Sequence, residues 1–179
     1  MFKNKTAVSG YAVITGAGKG LGLAFAHELA SRGISLILVA LKEDNLPQKT
    51  KEIESLFDVK VEYFEADLTQ PSEIENFTNW VTNNFKISIL INNVGLGHSG
   101  DFGSTDLGIL DSMILLNVRA TTLITHQLLP ILKQNKPAFI MNISSMASLS
   151  PFGYKSVYAA TKVFIEYFSK GIHRELKPF

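Results

Sequence analysis

The chain has 179 residues, 17 basic against 16 acidic, a formal net charge of +1 and 46% hydrophobic residues. That suffices for one domain with a real core, and the charge balance lends no support to a nucleic-acid or anionic-membrane partner, which needs a basic excess on one face. With no cysteine in the chain, thiol chemistry, disulfides and cysteine-based metal sites are excluded.

Residues 1–10 carry two lysines with no long apolar run behind them and do not read as a secretory signal. Apolar runs such as 36–41 are far shorter than a membrane span. The expectation is a soluble cytoplasmic protein without a membrane partner.

Short apolar or β-branched runs then alternate with helical patterns. Residues 11–15 read as a strand. Residues 20–31 read as a helix with Leu21, Phe25 and Leu29 four apart on one face. The continuous apolar run 35–41 reads as a strand buried on both faces. A helix is expected over 45–57, a strand over 60–65, and a helix over 72–83 with Ser72 as N-cap or first-turn residue. A strand follows over 88–92, a long apolar helical region over 107–133, a strand over 138–143 and a last helix over 157–176. Alternation of this kind implies right-handed βαβ units and a parallel sheet covered on both faces. The predicted fold class is therefore α/β, a doubly wound, Rossmann-like parallel sheet in three layers.

The first strand runs into Thr15-Gly16-Ala17-Gly18-Lys19-Gly20-Leu21-Gly22. Glycines let the backbone turn sharply and approach a pyrophosphate closely. The helix that follows aims its N-terminal amides and dipole at that anion. A glycine-rich turn without a ligand is the bland alternative; a triphosphate P-loop is disfavoured because no Gly-Lys-Ser/Thr run follows.

Domains that bind NAD usually place Asp or Glu at the tip of the second strand, where it holds the ribose 2′-hydroxyl. Here the run is Val39-Ala40-Leu41-Lys42, and Glu43 and Asp44 come later. Lys42 and Lys19 are candidates to face a 2′-phosphate, against the alternative that both are merely solvated. The expectation is NADP(H) in preference to NAD(H).

Tyr158 and Lys162 stand four apart at the start of a helix and share a face. A phenol is a poor acid or base near neutrality, and a nearby ammonium favours the phenolate. Such a pair suits proton exchange with a carbonyl or alcohol oxygen while a nicotinamide exchanges a hydride. Alone, Tyr-x-x-x-Lys also describes a core aromatic beside a snorkelling lysine. Other residues add weight. Asn142-Ile143-Ser144-Ser145 ends the fifth strand, and ligands of open parallel sheets bind beyond such ends. Either hydroxyl there can orient a substrate oxygen. Asn92-Asn93-Val94-Gly95 ends the fourth strand, with Gly95 allowing close backbone approach. Asn117 lies in an apolar helical stretch, where an amide is costly unless hydrogen-bonded, which gives it a structural or relay role.

Taken in order, Thr15–Gly22, Asp67-Leu68-Thr69, Asn92–Gly95, Asn117, Ser144-Ser145 and Tyr158-x-x-x-Lys162 make the chain resemble the short-chain dehydrogenase/reductase family through essentially its whole length. The resemblance implies a catalytic tetrad of Asn117, Ser145, Tyr158 and Lys162. Family spacing puts the serine thirteen residues before the tyrosine, which selects Ser145. It also implies Tyr158 as general acid/base, Ser145 as orienter of the reacting oxygen, Lys162 on the nicotinamide ribose and tuning the tyrosine, and Asn117 as anchor of a water relay. By the same carry-over Thr15, Gly16, Gly18, Lys19, Gly20, Leu21 and Gly22 cradle the cofactor, with Ala40, Lys42, Asp67 and Leu68 at its adenosine end and Asn93, Val94 and Gly95 along it. The implied activity is NAD(P)-dependent hydride transfer between NADPH and a ketone or aldehyde substrate, in a homodimer or homotetramer formed through the helices at 107–133 and 157–176.

Two departures from the family pattern stand out. Val94 replaces the more usual alanine, a form similar to reductases of bulky acyl or steroid ketones. Relative to the usual family length, the chain is C-terminally short. Residues 1–179 are therefore expected to form a single dinucleotide-binding and catalytic domain without the family's C-terminal substrate-binding segment or its last strands, leaving the fifth strand as an open edge. A non-catalytic dinucleotide-binding module, or an inactive fragment, is the alternative. His27, His98, His126 and His173 show no metal-ligand spacing, so no metal site is expected. Residues 97–100 read as a flexible loop or a wall of the substrate entrance, and Trp80 as core packing.

Overall fold

The computed structural model describes residues 9–177. Residues 1–8 of the segment read as lacking a secretory signal, together with Pro178 and Phe179, lie outside them. The elements are β1 (Tyr11–Thr15), α1 (Gly20–Ser31), β2 (Leu36–Ala40), α2 (Leu46–Leu56), β3 (Val61–Glu65), α3 (Pro71–Asn84), β4 (Ile87–Asn92), α4 (Leu107–Ile114), α5 (Thr121–Gln134), β5 (Phe139–Asn142) and α6 (Ser156–Leu176). The predicted elements are all present, with ends shifted by a residue or two. Pro71 opens α3, because a proline at a first helical position loses no intrahelical bond. Ser72 is therefore a first-turn residue, and Gln70 holds the N-cap position.

The strands form one parallel sheet in the order β3-β2-β1-β4-β5. Strand order reverses between β1 and β4, and open sheets bind ligands at the carboxyl ends of such a switch point. The inner strands alternate between two faces. Val13, Ile37, Val39 and Leu90 pack with Ile74, Phe77, Ala120, Ile124 and Leu128 of α3 and the long helical region. Ala12, Ile14, Leu36 and Leu38 pack with Ala26, Ala30, Leu46 and Ile53 of α1 and α2. This is the doubly wound, Rossmann-like α/β fold that the alternation predicted. Trp80 lies among Phe64 and Phe85, with ring centroids 5.3 Å and 4.8 Å away, beside the buried Phe77.

The fully buried residues of α1 are Gly22, Ala26 and Ala30, beside the stripe of Leu21, Phe25 and Leu29. Small residues let the helix approach β1 and β2 closely, which puts Phe25 and Leu29 at the margin of the core and leaves Leu21 52% exposed. One expectation is qualified, that the apolar stretches are all far shorter than a membrane span. Leu107–Gln134 is long and apolar enough, by length and composition, to cross a membrane. Isolated apolar runs did not suggest this. Here Ala120, Ile124, Leu128 and Leu132 of that helix lie in the core beneath the sheet. A π-helical segment, Leu115–Ala120, joins α4 to α5. Its wider turn fits one extra residue into the helix, and it carries the buried Asn117.

Among the described residues β5 is a sheet edge paired with β4 alone, and its Phe139 and Met141 are about half exposed.

Candidate active site

The glycine turn is built by positive φ angles and by close approach. Gly16 (φ +65°) and Gly20 (φ +55°) lie in the left-handed region, which costs a non-glycine residue about 1–2 kcal/mol. A Cβ on Gly16 would stand 2.9 Å from the Val94 Cα, and one on Gly22 would fall on the Gly16 carbonyl. Thr15 and Asn93 bind this turn to the end of β4. The buried Thr15 Oγ1 accepts from the main-chain N–H groups of Asn93 and Val94, each at 3.1 Å. Asn93 Nδ2 donates to the carbonyls of Thr15 and Gly16, each at 3.0 Å. Both side chains thus shape the turn, and the donor groups of Asn93 are taken up by it. At the start of α1 no side chain caps the first turn, so its amides remain directed at the space beyond the turn.

That space is a cavity of about 430 Å³ lined by Gly16, Lys19, Ala40, Leu41, Asp44, Ala66, Asp67, Leu68, Asn93, Val94, Gly95, Leu96 and Leu116. At one end, Asp67 Oδ1 accepts from the Thr69 N–H at 2.9 Å and the Thr69 hydroxyl at 2.8 Å, holding its loop in a tight turn beside the buried Leu68. Arg119 Nη2 donates to the Thr69 carbonyl from the π-helical segment. Lys42 does not line the cavity. It begins a short 3₁₀ turn, Lys42–Asp44, and is exposed. The charged groups that reach the cavity from this side are Lys19 and Asp44, paired at 3.2 Å. Gly18 lies under the Asp44 side chain, since a Cβ there would overlap the carboxylate. Gly18, Gly20, Leu21 and Gly22 belong to the turn and the helix start rather than to the cavity wall.

The other end of the cavity is walled by Gly95 and Leu96, and Gly95 packs against Asn117 and Lys162. A Cβ on Gly95 would stand 2.8 Å from Asn117 Oδ1 and 3.5 Å from Lys162 Nζ, so only a glycine lets the cavity wall pack this closely against both side chains. Lys162 is 5% exposed and donates to the Ile143 carbonyl at 2.8 Å. Burial holds its ammonium below the usual lysine range. Its Nζ lies 5.9 Å from the centroid of the Tyr158 ring, placing charge beside the phenol. Among the described residues the Tyr158 hydroxyl has no hydrogen-bond partner, and Gly97 packs against the ring, where a Cβ would stand 3.4 Å from Cε2. The loop carrying Gly97 is also tied to the chain before α6, because the Gly100 N–H donates to the Tyr154 carbonyl at 2.8 Å.

The two serines left open by the residue pattern divide here. Ser144 Oγ donates to the Lys162 carbonyl at 3.0 Å, fixing α6 to the end of β5. Ser145 Oγ accepts from the Ala147 N–H at 3.1 Å, which leaves its own proton to donate elsewhere. Asn117 is 1% exposed. It accepts from the Leu96 N–H at 2.8 Å and donates to the Leu96 carbonyl at 2.9 Å and to Thr161 Oγ1 at 3.0 Å. Its side chain therefore braces the β4 loop. Thr161 and Arg119 are the residues that sequence reasoning missed. Thr161 Oγ1 donates to the Tyr158 carbonyl at 2.7 Å and so joins Asn117 to the first turn of α6. Its place between the tyrosine and the lysine was visible, but its partner, 44 residues away, was not.

This fold and this site define a class, and the comparisons agree with it. The family model described as short chain dehydrogenase matches residues 10–179. The chain belongs to that family. Among its relatives, the very-long-chain 3-oxoacyl-CoA reductase of Anas platyrhynchos is 33% identical over 171 residues, covering 93% of this chain and 55% of the relative. The protein of the same name from Neurospora crassa is 36% identical, covering 93% and 52%. The chain thus spans about half the length of the curated relatives it matches. Among solved structures, the bulky-bulky ketone specific alcohol dehydrogenase from Comamonas testosteroni is 30% identical with a TM-score of 0.89, covering 96% of this chain and 69% of that one. A short-chain dehydrogenase from Sphingobium yanoikuyae in complex with NADPH is 33% identical with a TM-score of 0.88, covering 94% and 66%.

Proposed function

We propose that this chain supplies the cofactor site and the acid/base site of an NADPH-dependent reductase that converts a ketone on a bulky chain to a secondary alcohol. The observation that carries this reading is the cavity that begins at the glycine turn and ends at Gly95, the residue that packs against Asn117 and Lys162. Its walls suit a dinucleotide. The glycines would hold the pyrophosphate against the start of α1, Asp67 and Leu68 would border the adenine, and Asn93 to Gly95 would line the path to the nicotinamide. When bound, NADPH would supply the hydride, which the carbonyl carbon of the substrate would accept.

The chain's own residues handle the oxygen and the proton. Ser145 donates to the substrate oxygen and fixes its position. Tyr158 protonates that oxygen as negative charge develops on it. Lys162, close to the ring and with its ammonium directed at the Ile143 carbonyl, stabilises the phenolate that remains. Asn117 uses its side chain on Leu96 and Thr161, so a water relay at this position would run through its main-chain carbonyl. Support for a bulky ketone comes from the substrate named for the Comamonas structure and the 3-oxoacyl thioester named for the relatives, together with Val94.

The same proposal includes a homodimer through α4–α5 and α6, whose outward Leu107, Ile114, Phe164 and Tyr167 are exposed apolar side chains. The test of the main reading is Tyr158→Phe on the full chain, assayed by NADPH oxidation with a bulky 3-oxoacyl thioester and by NADPH titration. Turnover is expected to fall by at least about a hundredfold with the NADPH Kd unchanged. Unchanged turnover would remove Tyr158 from the acid/base role, and NADPH binding without any turnover in the wild type would favour a non-catalytic dinucleotide module instead.

A further inference from the structure

We propose that Asp44 is a specificity-determining residue that sets the discrimination between NADPH and NADH by competing with the 2′-phosphate for Lys19. The proposal rests on the reading of the cavity as the dinucleotide site and goes beyond it by naming a group that opposes the preferred cofactor. Cofactor choice in such folds is read at the tip of β2. That tip here is Ala40 and Leu41, both apolar cavity walls, so it offers no charged group. The decision passes to the next charged side chains that reach the cavity, Lys19 and Asp44.

The two partners differ in freedom. The Lys19 side chain is 82% exposed, whereas that of Asp44 is 15% exposed. The Asp44 carboxylate packs over Gly18, where no Cβ is present to push it away. Its main-chain carbonyl accepts from Lys49, which holds the turn from the far side. Asp44 is therefore a fixed negative charge at the cavity wall and Lys19 a mobile positive one. A 2′-phosphate entering this end would draw Lys19 toward itself and leave Asp44 facing a second anion. A 2′-hydroxyl has no such conflict and can donate to the same carboxylate. The pair thus narrows whatever advantage Lys19 confers on NADPH.

The test is equilibrium titration of the full chain with NADPH and, separately, NADH, followed by cofactor fluorescence, for the wild type, Asp44→Asn and Lys19→Gln. Asp44→Asn keeps the shape over Gly18 and removes the charge. It is expected to tighten NADPH by about tenfold while NADH stays within about twofold. Lys19→Gln is expected to weaken NADPH by about tenfold with little effect on NADH. If Asp44→Asn moves both cofactors equally, Asp44 is only a brace of its turn and the proposal fails. It fails also if neither moves. A wild type that favours NADH while Asp44→Asn favours NADPH would retain the proposal and overturn only the NADPH preference. A wild type that binds neither cofactor would remove the dinucleotide reading and the proposal together.

Discussion

Asn117 and Leu96 are paired amide to amide: the Asn117 side chain accepts from the Leu96 N–H at 2.8 Å and donates to its carbonyl at 2.9 Å. A helix residue thereby closes the backbone of a loop that would otherwise be under-satisfied, and the cavity wall beyond Gly95 is held by the element that also packs beneath the sheet.

Asn117→Leu keeps the size and removes both bonds to Leu96 and the one to Thr161, leaving a part-buried N–H and C=O without partners. The expected loss is about 2–4 kcal/mol of stability, read as a lower urea midpoint at unchanged slope. A loss well under 1 kcal/mol would mean that water replaces the amide with ease.

Thr161→Val breaks the link from Asn117 to the Tyr158 carbonyl while leaving the Tyr158 ring and Lys162 in place. Because Thr161 acts through the first turn of α6, the expectation is a fall in kcat of about tenfold with the NADPH Kd unchanged. Thr161→Ser, which keeps the hydroxyl, should recover most of it. Equal loss in both variants would show that the methyl group's packing is what matters.

Gly16→Ala places a Cβ against the Val94 Cα at a φ of +65°. The obstruction is backbone, not a movable side chain. We expect at least a tenfold weaker NADPH affinity together with about 1–3 kcal/mol of destabilisation. Wild-type affinity in this variant would show that the turn can rearrange.

Lys162 gives a pH signature. Burial lowers its folded-state pKa beneath the ordinary lysine value. Between those two values the unfolded chain binds more protons than the folded one, so stability rises with pH across the window. The penalty of burying the ammonium is fully present below the folded pKa and is relieved as pH climbs toward the ordinary value. Urea midpoints of the wild type should therefore gain on those of Lys162→Met between neutral pH and the lysine range. Parallel curves would count against a buried charged lysine.

Among the described residues β5 ends the sheet and presents the half-exposed Phe139 and Met141. Such edges recruit other strands unless a charge interrupts them. Met141→Lys should raise the concentration at which the 179-residue chain stays monodisperse in light scattering without changing NADPH affinity. No change would place the association surface elsewhere, with α4–α5 and α6 as the next candidates.

Local pattern determined much of this protein. The alternation of apolar runs with helical spacing was enough for a doubly wound sheet, because the side-chain periods of strands and helices are short-range properties of the chain. The glycine turn was legible because positive φ and close approach select glycine at fixed offsets. Tyr158 and Lys162 were legible because four residues make one helical turn. Tertiary structure decided the rest, since it depends on neighbours that no local pattern encodes. The face that α1 buries follows from how closely the helix can approach β1 and β2, so Gly22, Ala26 and Ala30 are buried while the larger Leu21, Phe25 and Leu29 are not fully covered. The division of labour between Ser144 and Ser145 follows from where the Lys162 carbonyl lies. Lys42 and Asp44 are two residues apart, yet the 3₁₀ turn sends one to solvent and the other to the cavity. Thr161 and Arg119 became visible only when Asn117 and Thr69, distant in sequence, came within hydrogen-bond reach.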